Sequence, residues 1–183
     1  MAILKIARMG HPVLITPAVP VPDPGAPEVR RLVADMLETM ADANGAGLAA
    51  PQVHVPWRLF VFHVPENRGT GAPDDPITGP MVLINPVLEA LDETPMLGWE
   101  GCLSIPGLRA VVPRASRIRY TGVDCDGQQI TADVTGFHAR VVQHEADHLD
   151  GVLYTMRVTD FRLFAFDDEL NKWAKPPAAE KAE

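Results

Sequence analysis

The chain has 183 residues, 46% hydrophobic and 22% charged, with a formal net charge of −8, which suits one domain around one sizeable core. The negative balance argues against a general nucleic-acid or membrane binder, which would present a basic face. No apolar stretch approaches the length of a membrane span.

From the N-terminus, Lys5 and Arg8 interrupt a short apolar stretch, unlike a signal peptide. With only two cysteines, too few for a disulfide framework, the expectation is a cytoplasmic chain, with a Cys102–Cys125 bridge the lesser alternative. Residues 16–27 are dense in proline and should be extended or turning. Val29, Leu32, Val33, Met36, Leu37 and Met40 form one apolar stripe that predicts a helix over 28–43. "GAGLAAPQ", 45–52, is by composition a glycine-rich loop, and it lacks the Lys-Ser/Thr ending of a phosphate-binding loop. Strands are predicted over 57–64 and 81–86, with 64–80 a long exposed loop between them. Two further arms, 117–123 and 128–134, flank an Asp126–Gly127 turn.

A second helix is expected over 137–149, with Gly151 suited to its C-terminal cap. A third would start after Thr159 as N-cap, carrying Phe166, Leu170 and Trp173 on one side. Residues 174–183 read as a disordered tail. Strands and helices without regular βαβ alternation predict an α+β fold. The expected unit is a single compact domain over 1–173, with mixed or antiparallel sheets around the 137–149 helix.

That helix carries "QHEADHLDG", 143–151. Positions i and i+4 share a helix face, so His144 and His148 can aim both imidazoles at one divalent ion. Glu145 then stands beside it as a general base. The same HExxH pattern also arises by chance in solvated helices, and a third ligand is needed. The metzincin extension fails because Tyr154 stands where its third histidine belongs. Glu169, the downstream alternative for an HExxH endopeptidase, lies in the acidic run "FDDELNKW", which reads as a solvated face. Cys102, in "GWEGCLSIPG", would complete a Cys/His/His set with an open fourth position, the mark of a catalytic metal site. On spacing alone it is equally a buried, inert thiol.

Taken together, "GAGLAAPQ", "EGCLS" (100–104) and "QHEADHLDG" resemble, in order, the three signature motifs of the peptide deformylases, and the resemblance weakens only after about Thr159. It implies a hydrolase that removes the formyl group from the N-terminal formyl-methionine of nascent polypeptides and releases formate. It also implies Cys102 as third metal ligand, Fe²⁺ as the ion with Zn²⁺, Ni²⁺ or Co²⁺ as substitutes, and Glu145 as general base and then acid. The Gln52 amide and the Leu103 backbone N–H would meet the developing oxyanion. The methionyl peptide would lie against Gly45, Ala46, Gly47, Leu48, Gly101 and Val141. Transient contact with the ribosome is an open expectation: Arg162, Lys172 and Lys175 are mixed with Asp167, Asp168 and Glu169, so the basic docking helix of some family members is not carried over.

Overall fold

The computed structural model describes residues 2–92 and 94–173, with only the backbone of Asn171 and Trp173; the expected tail and the side chain of Trp173 fall outside them. Helix α1 (Pro27–Asp42) begins on a proline at N1, whose fixed φ suits a first turn. Strand β1 (Gly47–Ala49) follows, then β2 (Leu59–Val64) and β3 (Thr78–Ala90). Strands β4 (Pro95–Cys102) and β5 (Ile105–Ala115) form a hairpin, as do β6 (Arg117–Val123) and β7 (Gln129–Thr135). Helix α2 (Gly136–Leu149), β8 (Phe164–Phe166) and α3 (Asp167–Trp173) complete the order.

The strands make two antiparallel sheets, β1-β2-β3-β6-β7 and β4-β5-β8. In β2 the period-2 alternation of a strand sends Phe60 and Phe62 to one face and Leu59 and Val61 to the other. The first pair packs with Ala139, Val142, Ala146 and Leu149 of α2. The second packs with Val29, Val33, Met36 and Met40 of α1. The two helices therefore cover opposite faces of the larger sheet. A third apolar group, with Leu14, Ile105, Val112, Leu153 and Tyr154, lies at the smaller sheet. No helix among the described residues is long and apolar enough to cross a membrane.

The expected α1, α2 and β6–β7 turn are present, the turn with Gly127 at φ 74 and its N–H donating to Asp124 O (3.1 Å). Gly151 follows α2 at φ 72. Strand β3 runs past Pro86 because a register shift between Ile84 and Val87 accommodates the missing donor. The helix expected after Thr159 is not formed as such. Asp160 caps a short 3₁₀ turn, Phe161–Leu163, and Phe164–Phe166 then pairs as β8 with Leu108–Ala110. The alternating aromatics suit a strand, so Phe166 leaves the helix, which starts at Asp167. Cys102 and Cys125 are free thiols.

Candidate metal centre

Helix α2 is buried along most of its length, including the polar Arg140, His144, Glu145, Asp147 and His148. Burial of so many ionisable groups is costly unless each is paired or used. One turn apart, His144 and His148 face the end of β4, which delivers Cys102. The ligand atoms of these three residues all lie within 4.8 Å of one another, and Cys102 Sγ is 3.3 Å from His148 Nε2. Glu169 is not in this group; it pairs with Lys172 on α3 (3.1 Å).

Tautomer and charge follow from the surroundings. His144 Nδ1 donates to Glu100 Oε2 (2.8 Å), which leaves Nε2 to face the site. Glu100 in turn accepts from Arg114 Nε (2.9 Å) and a terminal Arg114 nitrogen (2.8 Å), and from Arg140 (2.9 Å). Arg114 reaches on to Asp147 (2.5 Å), which also accepts Arg157. Burial acts to raise the Glu100 pKa, but Arg114 and His144 hold it far below the ordinary carboxylate range. Burial likewise opposes ionisation of Cys102, yet the neighbouring His148 and His144 bring its thiol well below the ordinary 9.0. A thiolate at this position is the form that ligates metal. Glu145 behaves oppositely: burial pushes its carboxyl up to about 7 despite the pull of His144 and His148, and its Oε2 is buried without a hydrogen-bond partner. A soft sulfur, two imidazole nitrogens and an unpartnered carboxyl oxygen beside them fit one divalent ion with room for a water.

Gln52 enters from a 3₁₀ turn after β1. Its Oε1 accepts the Ala49 N–H (2.8 Å), and its Nε2 donates to Cys102 Sγ (3.4 Å) and Ser104 Oγ (3.1 Å). A cavity of about 410 Å³ opens over the centre, within the usual size of small-ligand sites. Gly45, Ala46, Gly47, Gln52, Gly101, Cys102, Leu103, Val141, His144 and Glu145 line it. Leu48 does not: it is fully buried and points to the α1 side of the sheet, since alternate residues of a strand face opposite ways. Sequence reading assigned no role to Glu100, Arg114 and Asp147, nor to Phe137 and Arg68 on the cavity wall. An acidic residue two positions before the cysteine was the one signal for Glu100.

A cysteine sulfur and two imidazoles converging under an open cavity, with a buried carboxyl beside them, are the donor set of a metallohydrolase. The sequence profile described as polypeptide deformylase matches residues 3–163, and the chain belongs to that family. It is a hydrolase that removes the N-formyl group from nascent polypeptides. Among its relatives, "Peptide deformylase 1" of Nitrosomonas europaea is 52% identical over 92% of this chain and 94% of its own. Peptide deformylase from Ehrlichia chaffeensis in complex with actinonin superposes with a TM-score of 0.81 at 32% identity, covering 94% of this chain and 96% of that one. The Met-Ala-Ser-bound class I type b enzyme from Acinetobacter baumannii does so with 0.77 at 34%, covering 85% and 98%.

Proposed function

We propose that Cys102, His144 and His148 hold one divalent ion, Fe²⁺ in the cell with Zn²⁺, Ni²⁺ or Co²⁺ as substitutes, and that residues 1–173 form the catalytic unit. The observation that carries this reading is the convergence of their ligand atoms within 4.8 Å beside the unpartnered Oε2 of Glu145. When bound, the ion supplies Lewis acidity, making water a better nucleophile and the formyl carbonyl a better electrophile. Glu145 takes the proton of the attacking water and returns it to the departing amine nitrogen, a task suited to a buried carboxyl with an unpartnered oxygen beside the ligand atoms. The Leu103 N–H and the Gln52 side-chain amide stabilise the charge that grows on the formyl oxygen. Glu100 acts through His144, fixing its ring and keeping Nε2 free.

The peptide lies between β1 and β4, each the end strand of its sheet. Their backbone groups near Gly47 and Gly101 pair with an extended chain whatever its side chains. Val141 faces the methionine side chain. The relative bound to Met-Ala-Ser supports a methionyl peptide in this cavity. We place the enzyme in the cytoplasm, with no more than transient contact with the ribosome that produces its substrates.

Formate release from a short formyl-methionyl peptide tests the reading, using protein prepared anaerobically with iron beside Cys102→Ala. The expected result is formate from the first and at least about 10²-fold less from the second. A folded, metal-loaded protein that releases none would overturn the assignment of the centre.

A further inference from the structure

The reaction gives no role to the stretch between β2 and β3, yet its contacts are specific. Asp75 is 2% exposed. Its Oδ1 accepts the His138 N–H (3.1 Å) in the first turn of α2, and its Oδ2 accepts the Thr70 N–H (2.9 Å). Asp74 O accepts the Thr135 N–H (2.6 Å). Helix α2 has no side-chain cap from its own N-cap residue, Thr135, so Asp75 supplies from a distance what a helix start needs, an anionic acceptor for orphan N–H groups. Gly136 makes room for it: its φ is +57, and a Cβ there would stand 2.7 Å from Asp75 Cγ. The Arg68 guanidinium lies over the Phe137 ring, 4.3 Å from its centroid. The first turn of the catalytic helix is thus gripped from 68, 74 and 75.

That turn bears on the cavity. Phe137, Val141, His144 and Glu145 all line it, on one face of α2. At 1.5 Å per residue, Phe137 stands about 12 Å along the helix from Glu145, with Val141 between them. The cavity therefore runs from the reacting centre toward Phe137.

We propose that Asp75 is a positioning residue that, through the first turn of α2, sets Phe137 and so the depth available to the side chain of the formylated residue. The inference rests on the cavity being the formyl-peptide site, as proposed above. It also gives the 65–77 stretch a reason for its length, since the chain must travel from the end of β2 to the start of α2 and back.

The test is a series of formyl-X-Ala-Ser peptides in which X is methionine, its S-ethyl homologue, norleucine or leucine. Wild type is compared with Asp75→Ala, Asp75→Asn and Phe137→Ala, reading kcat and KM separately. One methylene in a tight apolar pocket is worth about tenfold or more in kcat/KM. Asp75→Ala should therefore move the S-ethyl-to-methionyl ratio by about five- to tenfold toward the longer side chain, with the change in KM. Phe137→Ala should move it in the same direction. Asp75→Asn keeps one acceptor and should fall between; it stands in for the alanine variant if that one does not fold. A folded Asp75 variant with the wild-type ratio would overturn the proposal, as would an unchanged ratio in Phe137→Ala or a loss confined to kcat. Wild-type protein that releases formate from none of the peptides would instead overturn the assignment of the cavity itself.

Discussion

Gly47 lies under the carboxyl group of Glu145 with no space between them: a Cβ there would stand 2.6 Å from Glu145 Cδ. Gly47→Ala should therefore displace the carboxyl and lower kcat by about 10², at the low end of what general acid–base catalysis contributes. Metal content should stay at the wild-type level, because no ligand is touched. Steady-state kinetics with metal analysis checks this, and Glu145→Gln should lose as much or more. His144, His148 and Glu145 were legible in the sequence because helix geometry alone relates i, i+1 and i+4. Cys102 was not; its spacing fitted an inert thiol equally well, and its proposed role as ligand rests on likeness to a known family. The pairing of Glu100 with Arg114 was hidden for another reason. It joins residues of two strands whose register, Glu100 opposite Ala110 and Met96 opposite Arg114, nothing local announces.

Two elements, α2 and β4, bring the imidazoles and the thiol of the candidate centre, and Arg140 ties them. From α2 its guanidinium donates to Met96 O (2.6 Å), Val112 O (3.2 Å) and Glu100 Oε1 (2.9 Å). Gly98 is part of the arrangement, since a Cβ there would lie 2.7 Å from Arg140 Cζ. Arg140→Leu removes a donor from buried carbonyls and breaks a buried ion pair, a change that costs about 3–5 kcal/mol; urea unfolding at constant metal load measures it. The strand-rich middle of the chain was only partly readable. Its sheets follow from alternation, as in β2, but β4 and β5 carry glycine and proline among their apolar residues and gave no clean period. Near the C-terminus the apolar spacing suggested a helix where the pleated Phe164–Phe166 segment completes the smaller sheet.

For the molecule as a whole, two buried groups in contact push the pH dependence of stability in opposite directions. Tyr120 OH and His138 Nε2 are 3.1 Å apart beneath the larger sheet. Burial pushes the Tyr120 phenol from 10.0 up to about 12. Between those values the unfolded chain has released a proton that the native one keeps, so stability falls as pH rises, by about 3 kcal/mol at most. Burial lowers the His138 pKa from 6.5. Below 6.5 the unfolded chain takes up a proton that the native one refuses, so stability falls as pH falls. Urea midpoints across pH 5 to 12 should show both limbs, and Tyr120→Phe should make the alkaline one shallower, the rest being carried by Tyr154, which burial also pushes up. The cavity between β1 and β4 has a cost on the same scale. End strands that can pair with any extended chain can also pair with one another, and such edges are where sheet proteins self-associate. Here one of them is only three residues long and opens on a glycine, which limits the length of any ladder built on it. The edge that would take up an extended formyl-peptide thus offers a second copy of the chain little length to pair with.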